Sequence, residues 1–183
     1  MFGFSSPPIK KVRVGIIGLG NRGNTLLEMF QYLSENNHAE IVALSDITEK
    51  KVNSASEKLS AWQNKKANLY YKTQNDWKKL CQRDDIDLVI IATPWDLHTP
   101  MALYAMENGK HVGSEVPIAS TIEDCWSLIQ TAESTKKHCI MMENCNYNEE
   151  ELWILNMIQE GVFGDITHTE GAYLHDLRAL MLH

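Results

Sequence analysis

The sequence predicts an α/β protein: a doubly wound parallel sheet followed by the start of an α+β block. Three observations carry this expectation. Apolar runs of strand length recur from Val12 to about Glu143 without polar alternation, as in strands covered on both faces. Each run is followed by a segment with helical spacing of its apolar residues. The first run ends in Gly18-Leu19-Gly20-Asn21-Arg22-Gly23, where a helical pattern begins at once. Sustained strand–helix alternation gives a parallel sheet with right-handed crossovers and helices on both faces.

The elements follow in order. Val12, Val14, Ile16 and Ile17 make the first strand, through Gly18. Leu26, Leu27, Phe30 and Leu33 mark a helix over 22–35. Ile41 to Ser45 is a second strand, closed by Asp46. Thr48 opens a helix with Val52, Ala55 and Leu59 on one side and lysines and glutamates on the other. A short strand is expected over 68–72, a short helix over 76–82 with Trp77 and Leu80 inward, and a buried strand over 87–93. Thr99 reads as an N-cap with Pro100 at the first helical position, and Gly109 stops that helix. A strand begins at His111. Ser120 and Glu123 make a capping-box signature before a helix through Trp126, Leu128, Ile129 and Ala132. Cys139 to Glu143 is one more strand. The pattern then changes: a helix over 149–160 with Leu152, Leu155, Met157 and Ile158 inward, and a long strand from Asp165 to His175. The expected organisation is a loose leader over 1–11, a nucleotide domain over 12–147, and over 148–183 a linker helix and the first strand of an incomplete substrate domain.

Bulk properties narrow the function. Hydrophobic residues are 44% and charged residues 22% of the 183, the balance of a water-soluble globular chain. The net charge of −7 argues against a general nucleic-acid binder, which carries a basic face. It does not argue against a phosphate-bearing ligand, which backbone amides and a helix dipole can hold. No apolar run approaches the roughly 20 residues of a membrane helix. The leader has no apolar core of a signal peptide, and the compartment stays open. Cys81, Cys125, Cys139 and Cys145 form no C-x-x-C pair, so four free thiols and no metal site are expected.

The chemistry-bearing residues collect at strand ends. Gly18, Gly20 and Gly23 stand between a strand and a helix, and Asp46 closes the second strand at the distance expected for a ribose-binding carboxylate. This constellation predicts a bound dinucleotide, and the charge of Asp46 favours NAD over NADP. Trp95 to His98, Glu115-Val116-Pro117 and Glu143-Asn144 lie past later strands, on the sheet edge where such folds bind ligands. Further on, alternation puts Tyr173 and His175 on one face of the expected last strand, a pairing suited to proton transfer.

VRVGIIGLGNRG, IATPWDLHTPMALYAMENGKHV and the strand-end Glu-x-Pro resemble the glucose–fructose oxidoreductase / inositol dehydrogenase / MocA family, a Rossmann domain followed by an open-sheet substrate domain. The family's dehydrogenases carry Glu-Lys-Pro where this chain has Glu115-Val116-Pro117. With the Pro-Trp-x-x-His motif, Glu143-Asn144 and EGAYLHDLR, that departure resembles a narrower branch, the NAD-dependent α-N-acetylgalactosaminidases of glycoside hydrolase family 109. The resemblance implies NAD contacts from Asn21, Arg22, Asp46, Trp95, Asp96, Leu97, His98, Glu115, Val116 and Asn144. It also implies a sugar contact from Tyr173 and an acid/base role for His175. The implied reaction is hydrolysis by transient oxidation at C3 of the sugar, elimination, water addition and re-reduction, an exception to the two-carboxylate scheme. Two alternatives stay open: an NAD(P)-dependent sugar or polyol dehydrogenase, and a non-catalytic NAD-binding fragment. The expected partner is a sugar or glycan, with self-association left open.

Overall fold

In the computed structural model the first apolar run, Val12–Ile17, is strand β1, and Asn21–Glu35 is helix α1. The structure describes residues 7–143, 147–172, 174, 176 and 178. Strand β2 (Ala39–Ser45), helix α2 (Glu49–Ser60) and strand β3 (Asn68–Tyr70) follow. Helix α3 (Asp76–Cys81), strand β4 (Leu88–Ile91), helix α4 (His98–Glu107), strand β5 (His111–Ser114), helix α5 (Ile122–Thr135) and strand β6 (Cys139–Met141) complete the alternation.

The six strands form one parallel sheet in the order β3-β2-β1-β4-β5-β6. The order reverses between β1 and β4, which opens a crevice at their carboxyl ends. Successive side chains on a strand point to opposite faces, and the two faces bury different helices. Val14, Ile16, Ile41 and Leu44 pack with Leu26 and Leu27 of α1 and with Val52, Ala55 and Leu59 of α2. Ile17, Val42, Val89, Ile91 and Val112 pack with Leu80 of α3, Met101, Ala105 and Met106 of α4, and Leu128 of α5. The doubly wound α/β class read from the sequence is the fold observed. At the amino ends of β1 and β4, Asp87 accepts bonds from Arg13 N, Nε and Nη2 at 2.9, 2.9 and 2.6 Å and staples the neighbouring strands.

Several local expectations are corrected. Helix α4 starts at His98, after a 3₁₀ turn over Trp95–Leu97, and not behind a Thr99 cap. Thr99 lies inside the helix because its Oγ1 donates to Ile118 O at 2.9 Å. Pro100 is then the third helical residue, where the backbone N–H still has no intrahelical partner to lose. Helix α5 is capped by Thr121, whose Oγ1 accepts from Asp124 N at 3.0 Å, one residue beyond the expected Ser120.

The chain divides into two compact units, Met1–Glu143 and Asn144–His183. In the second, helix α6 (Glu149–Gln159) opens with three glutamates in its first turn, which suit the positive helix end. The apolar side chains Leu152, Leu155 and Ile158, expected inward, are exposed. Within the strand expected over 165–175, the described residues 166–172 are not in a strand. Alternation alone does not make a strand, which forms only where a neighbour supplies a ladder. None of the helices among the described residues is long and apolar enough to cross a membrane.

Candidate functional site

The site is built where β1 hands over to α1. Gly18 follows the strand with φ +89, in the region that favours glycine. Its N–H donates to Ser45 O at 2.8 Å, and a Cβ there would stand 2.5 Å from Ala92 O. Gly23 lies against the turn from the helix side, where a Cβ would come within 1.9 Å of Gly18 O. These two glycines let strand, helix and β4 close on one another. Gly20 behaves differently: a Cβ there meets nothing within 4 Å, so the turn faces open space.

Helix α1 starts at that open side. Gly20 is its N-cap, no side chain caps it, and its first turn holds no acidic residue. The amides of the first turn and the positive end of the helix dipole are thus available to an anion. Beneath the turn, Asn24 Nδ2 donates to Leu19 O at 2.8 Å and to Gly20 O at 3.1 Å, which draws those carbonyls inward. Asn24 Oδ1 is shut away from the surface with no partner among the described residues. An asparagine one turn into a helix gives no distinctive sequence signal, and sequence reasoning missed Asn24.

Asp46 closes β2 beside the glycine turn. Its Oδ2 accepts from Leu19 N at 2.8 Å and its Oδ1 from Thr48 N at 2.8 Å. Each carboxylate oxygen has lone-pair capacity beyond one bond, so the group can shape the turn and still receive a ribose hydroxyl.

A cavity of about 740 Å³ opens at this edge of the sheet. Gly18, Gly20, Asn21, Arg22, Asp46 and Leu97 line it, six residues singled out from sequence. Ile47, Lys51, Thr73, Gln74, Asn75, Lys78, Thr93 and Pro94 also line it. Residues 73–75 follow β3, and the strand-end rule that selected the other loops would have found them.

The remaining candidates take other places. Trp95 (67% exposed) and Asp96 sit on the exposed 3₁₀ turn and do not line the cavity. His98 is buried, with Nδ1 2.7 Å from Pro117 O and Nε2 2.7 Å from Thr93 O. Both ring nitrogens face backbone carbonyl oxygens, so the ring lies between the 93–97 loop and the 115–117 loop. Glu115 is buried and reaches the site through Arg22, whose Nε donates to its Oε1 at 2.6 Å. Val116 is half-buried beside Glu115 and joined to Pro117 by a cis peptide. Asn144, Tyr173 and His175 lie outside the described residues.

The turn and cavity therefore fit a dinucleotide: a glycine turn open at its centre, an uncapped helix start for a pyrophosphate and a carboxylate at the ribose distance. Comparison with known proteins agrees. Residues 12–143 match the family model described as an oxidoreductase family with an NAD-binding Rossmann fold. Residues 147–183 match the C-terminal domain of glycosyl hydrolase family 109. The chain is 49% identical over 180 residues to an alpha-N-acetylgalactosaminidase of Bacteroides fragilis, covering 98% of this chain and 41% of that protein. It is 45% identical over 178 residues to an alpha-N-acetylgalactosaminidase of Shewanella oneidensis, covering 97% and 38%. The chain thus spans about two fifths of the length of the curated relatives it matches. Among solved structures it is similar to the WlbA dehydrogenase of Chromobacterium violaceum in complex with NADH and UDP-GlcNAcA, with a TM-score of 0.75 and 26% identity over 88% of this chain and 44% of that one. A scyllo-inositol dehydrogenase of Lactobacillus casei shares the fold, with a TM-score of 0.74 at 23% identity over 86% of this chain and 44% of that one.

Proposed function

Because the chain belongs to the oxidoreductase family with an NAD-binding Rossmann fold, we propose that it is the cofactor-holding part of an NAD-dependent glycosidase of the α-N-acetylgalactosaminidase type. The observation that carries this reading is the 49% identity to an enzyme of that name across 98% of the chain. The family 109 match over residues 147–183 and Val116 in the place of a dehydrogenase lysine support it.

When bound, NAD supplies reversible hydride acceptance, which allows C3 of a sugar to be oxidised transiently and restored without net redox change. The chain's own residues hold and orient. The first-turn amides of α1 bind the pyrophosphate, and Asp46 takes the adenosine ribose. His98 would hold the loops over 93–97 and 115–117 in place beside the cofactor. In this reading His175 removes and returns the proton at C2 of the sugar, and Tyr173 contacts the sugar. Oxidation at C3 makes the C2 proton acidic enough for a histidine, after which the C1 substituent leaves and water adds.

A second reading, an NAD(P)-dependent sugar dehydrogenase, is favoured by the likeness to a dehydrogenase solved with a nucleotide sugar. The two separate in one assay. The complete protein is incubated with a chromogenic α-N-acetylgalactosaminide and no added NAD. Chromophore release without net NADH is the expected result. In a parallel incubation with free sugars and added NAD, accumulation of NADH, with no chromophore released in the first, gives the dehydrogenase instead. Residues 1–183 alone are expected to bind NADH with little or no turnover.

A further inference from the structure

Arg22 and Glu115 stand 93 positions apart in the chain and are joined at 2.6 Å. Arg22 belongs to the first turn of α1, and Glu115 follows β5 directly. In the sheet, β4 lies between β1 and β5, so the pair spans the carboxyl end of β4 beside the crevice. Arg22 lines the cavity and Glu115 does not, being 8% exposed.

The chemistry of the pair is one-sided. Among the described residues Glu115 engages the guanidinium through Nε, and neither Nη group has a partner. Removing the ion partner of a buried carboxylate is strongly unfavourable. A guanidinium gripped by one edge keeps its planar fork for a second oxyanion and loses less freedom on binding it. Arg22 also sits at the positive end of α1, where an uncompensated cation is repelled by the dipole. Glu115 offsets that repulsion while the cleft holds no anion.

We propose that Glu115 is a positioning residue for the dinucleotide site that acts through Arg22, fixing the guanidinium by Nε so that its Nη groups meet the pyrophosphate. Glu115 itself makes no cofactor contact in this arrangement. This rests on the cleft being a dinucleotide site and not on the glycosidase reading.

The test is a double-mutant cycle in the full chain with Arg22→Met, Glu115→Gln and both together. Each is titrated calorimetrically with NADH and ADP, which carry the pyrophosphate, and by amide NMR with adenosine, which lacks it. Arg22→Met is expected to weaken ADP and NADH about tenfold, the size of a lost charged hydrogen bond. Glu115→Gln should weaken them several-fold, the double variant no more than Arg22→Met, and adenosine should bind all four proteins alike. Additive losses, tighter ADP binding by Glu115→Gln, or an equal loss for adenosine overturn the proposal while leaving the dinucleotide site intact. A parent chain that binds neither NADH nor ADP overturns both. If Glu115→Gln fails to fold, Glu115→Asp keeps the charge one methylene short and enters the same cycle.

Discussion

Gly23 and Asp46 show how much of the site hangs on single side chains. A methyl group at Gly23 would sit 1.9 Å from Gly18 O, a backbone atom that moves only with the whole turn. Gly23→Ala should therefore destabilise the chain by about 3 kcal/mol or more and abolish NADH binding. Urea unfolding followed by fluorescence titration measures both, and a variant that keeps normal stability would contradict the packing described. Asp46 has two duties, and a substitution disturbs both. Its carboxylate holds Leu19 N and Thr48 N, and in the proposed site it also receives the ribose. Bonds to a charged group contribute about 1.5–3 kcal/mol each. Asp46→Ala should lower the melting temperature together with NADH affinity, and should not convert the chain to NADPH. Undiminished stability with a gain in NADPH affinity would show that Asp46 only discriminates between the cofactors.

At the scale of elements, the strands and helices through residue 143 are where the periodicity of apolar residues puts them, and their ends are set by hydrogen bonds. Ser120 and Thr121 are adjacent and both can cap. Thr121 does so because α5 is turned to bury Leu128 against the sheet, which fixes the first free amides one residue later. Thr121→Ala should cost about 1 kcal/mol, and Ser120→Ala almost nothing. Comparing the two by chemical denaturation tests the assignment, and a larger loss at Ser120 would reverse it. The 3₁₀ turn before α4 has the same kind of origin. His98 and Thr99 are drawn into the protein by carbonyls of residues 117 and 118, which belong to a different loop. No pattern within 95–100 announces those partners.

For the molecule as a whole, charge makes stability fall as pH drops below neutrality. The Arg13 hydrogen bonds hold the Asp87 carboxyl below its ordinary range, bonds from Lys79 and Thr73 do the same for Asp76, and Arg83 does so for Asp85. Burial, then the Lys137 charge, pushes the His111 imidazole down, and its Nδ1 accepts from His138 N. A group whose value is lower in the folded state adds stability above its unfolded value and loses it as pH falls through the folded one. Stability should therefore be level near neutrality, begin to fall below about pH 6 as His111 is forced to charge, and fall steeply below about pH 4 as the carboxylates protonate. Urea midpoints across pH give the curve. Asp87→Asn should flatten its acid limb, and an unchanged limb would remove the β1–β4 staple from the explanation.

The sequence by itself determined the α/β class, the strand–helix alternation through residue 143 and the glycine turn with its carboxylate. Each of these is a local property: apolar period, glycine spacing and one acid at a strand end. It also located most of the loops that line the cavity, because a parallel sheet puts every strand's carboxyl end on one edge. Tertiary structure decided the rest. The strand order, which sets β4 between the Arg22 and Glu115 segments, depends on how whole helices pack on two faces, and no local period encodes that. The inward ring of His98, the buttress of Asn24 under the turn and the one-edged grip of Glu115 on Arg22 join atoms across loops or within a single turn. The expected strand from Asp165 has alternation, yet its described residues 166–172 are not in a strand, because alternation by itself supplies no ladder.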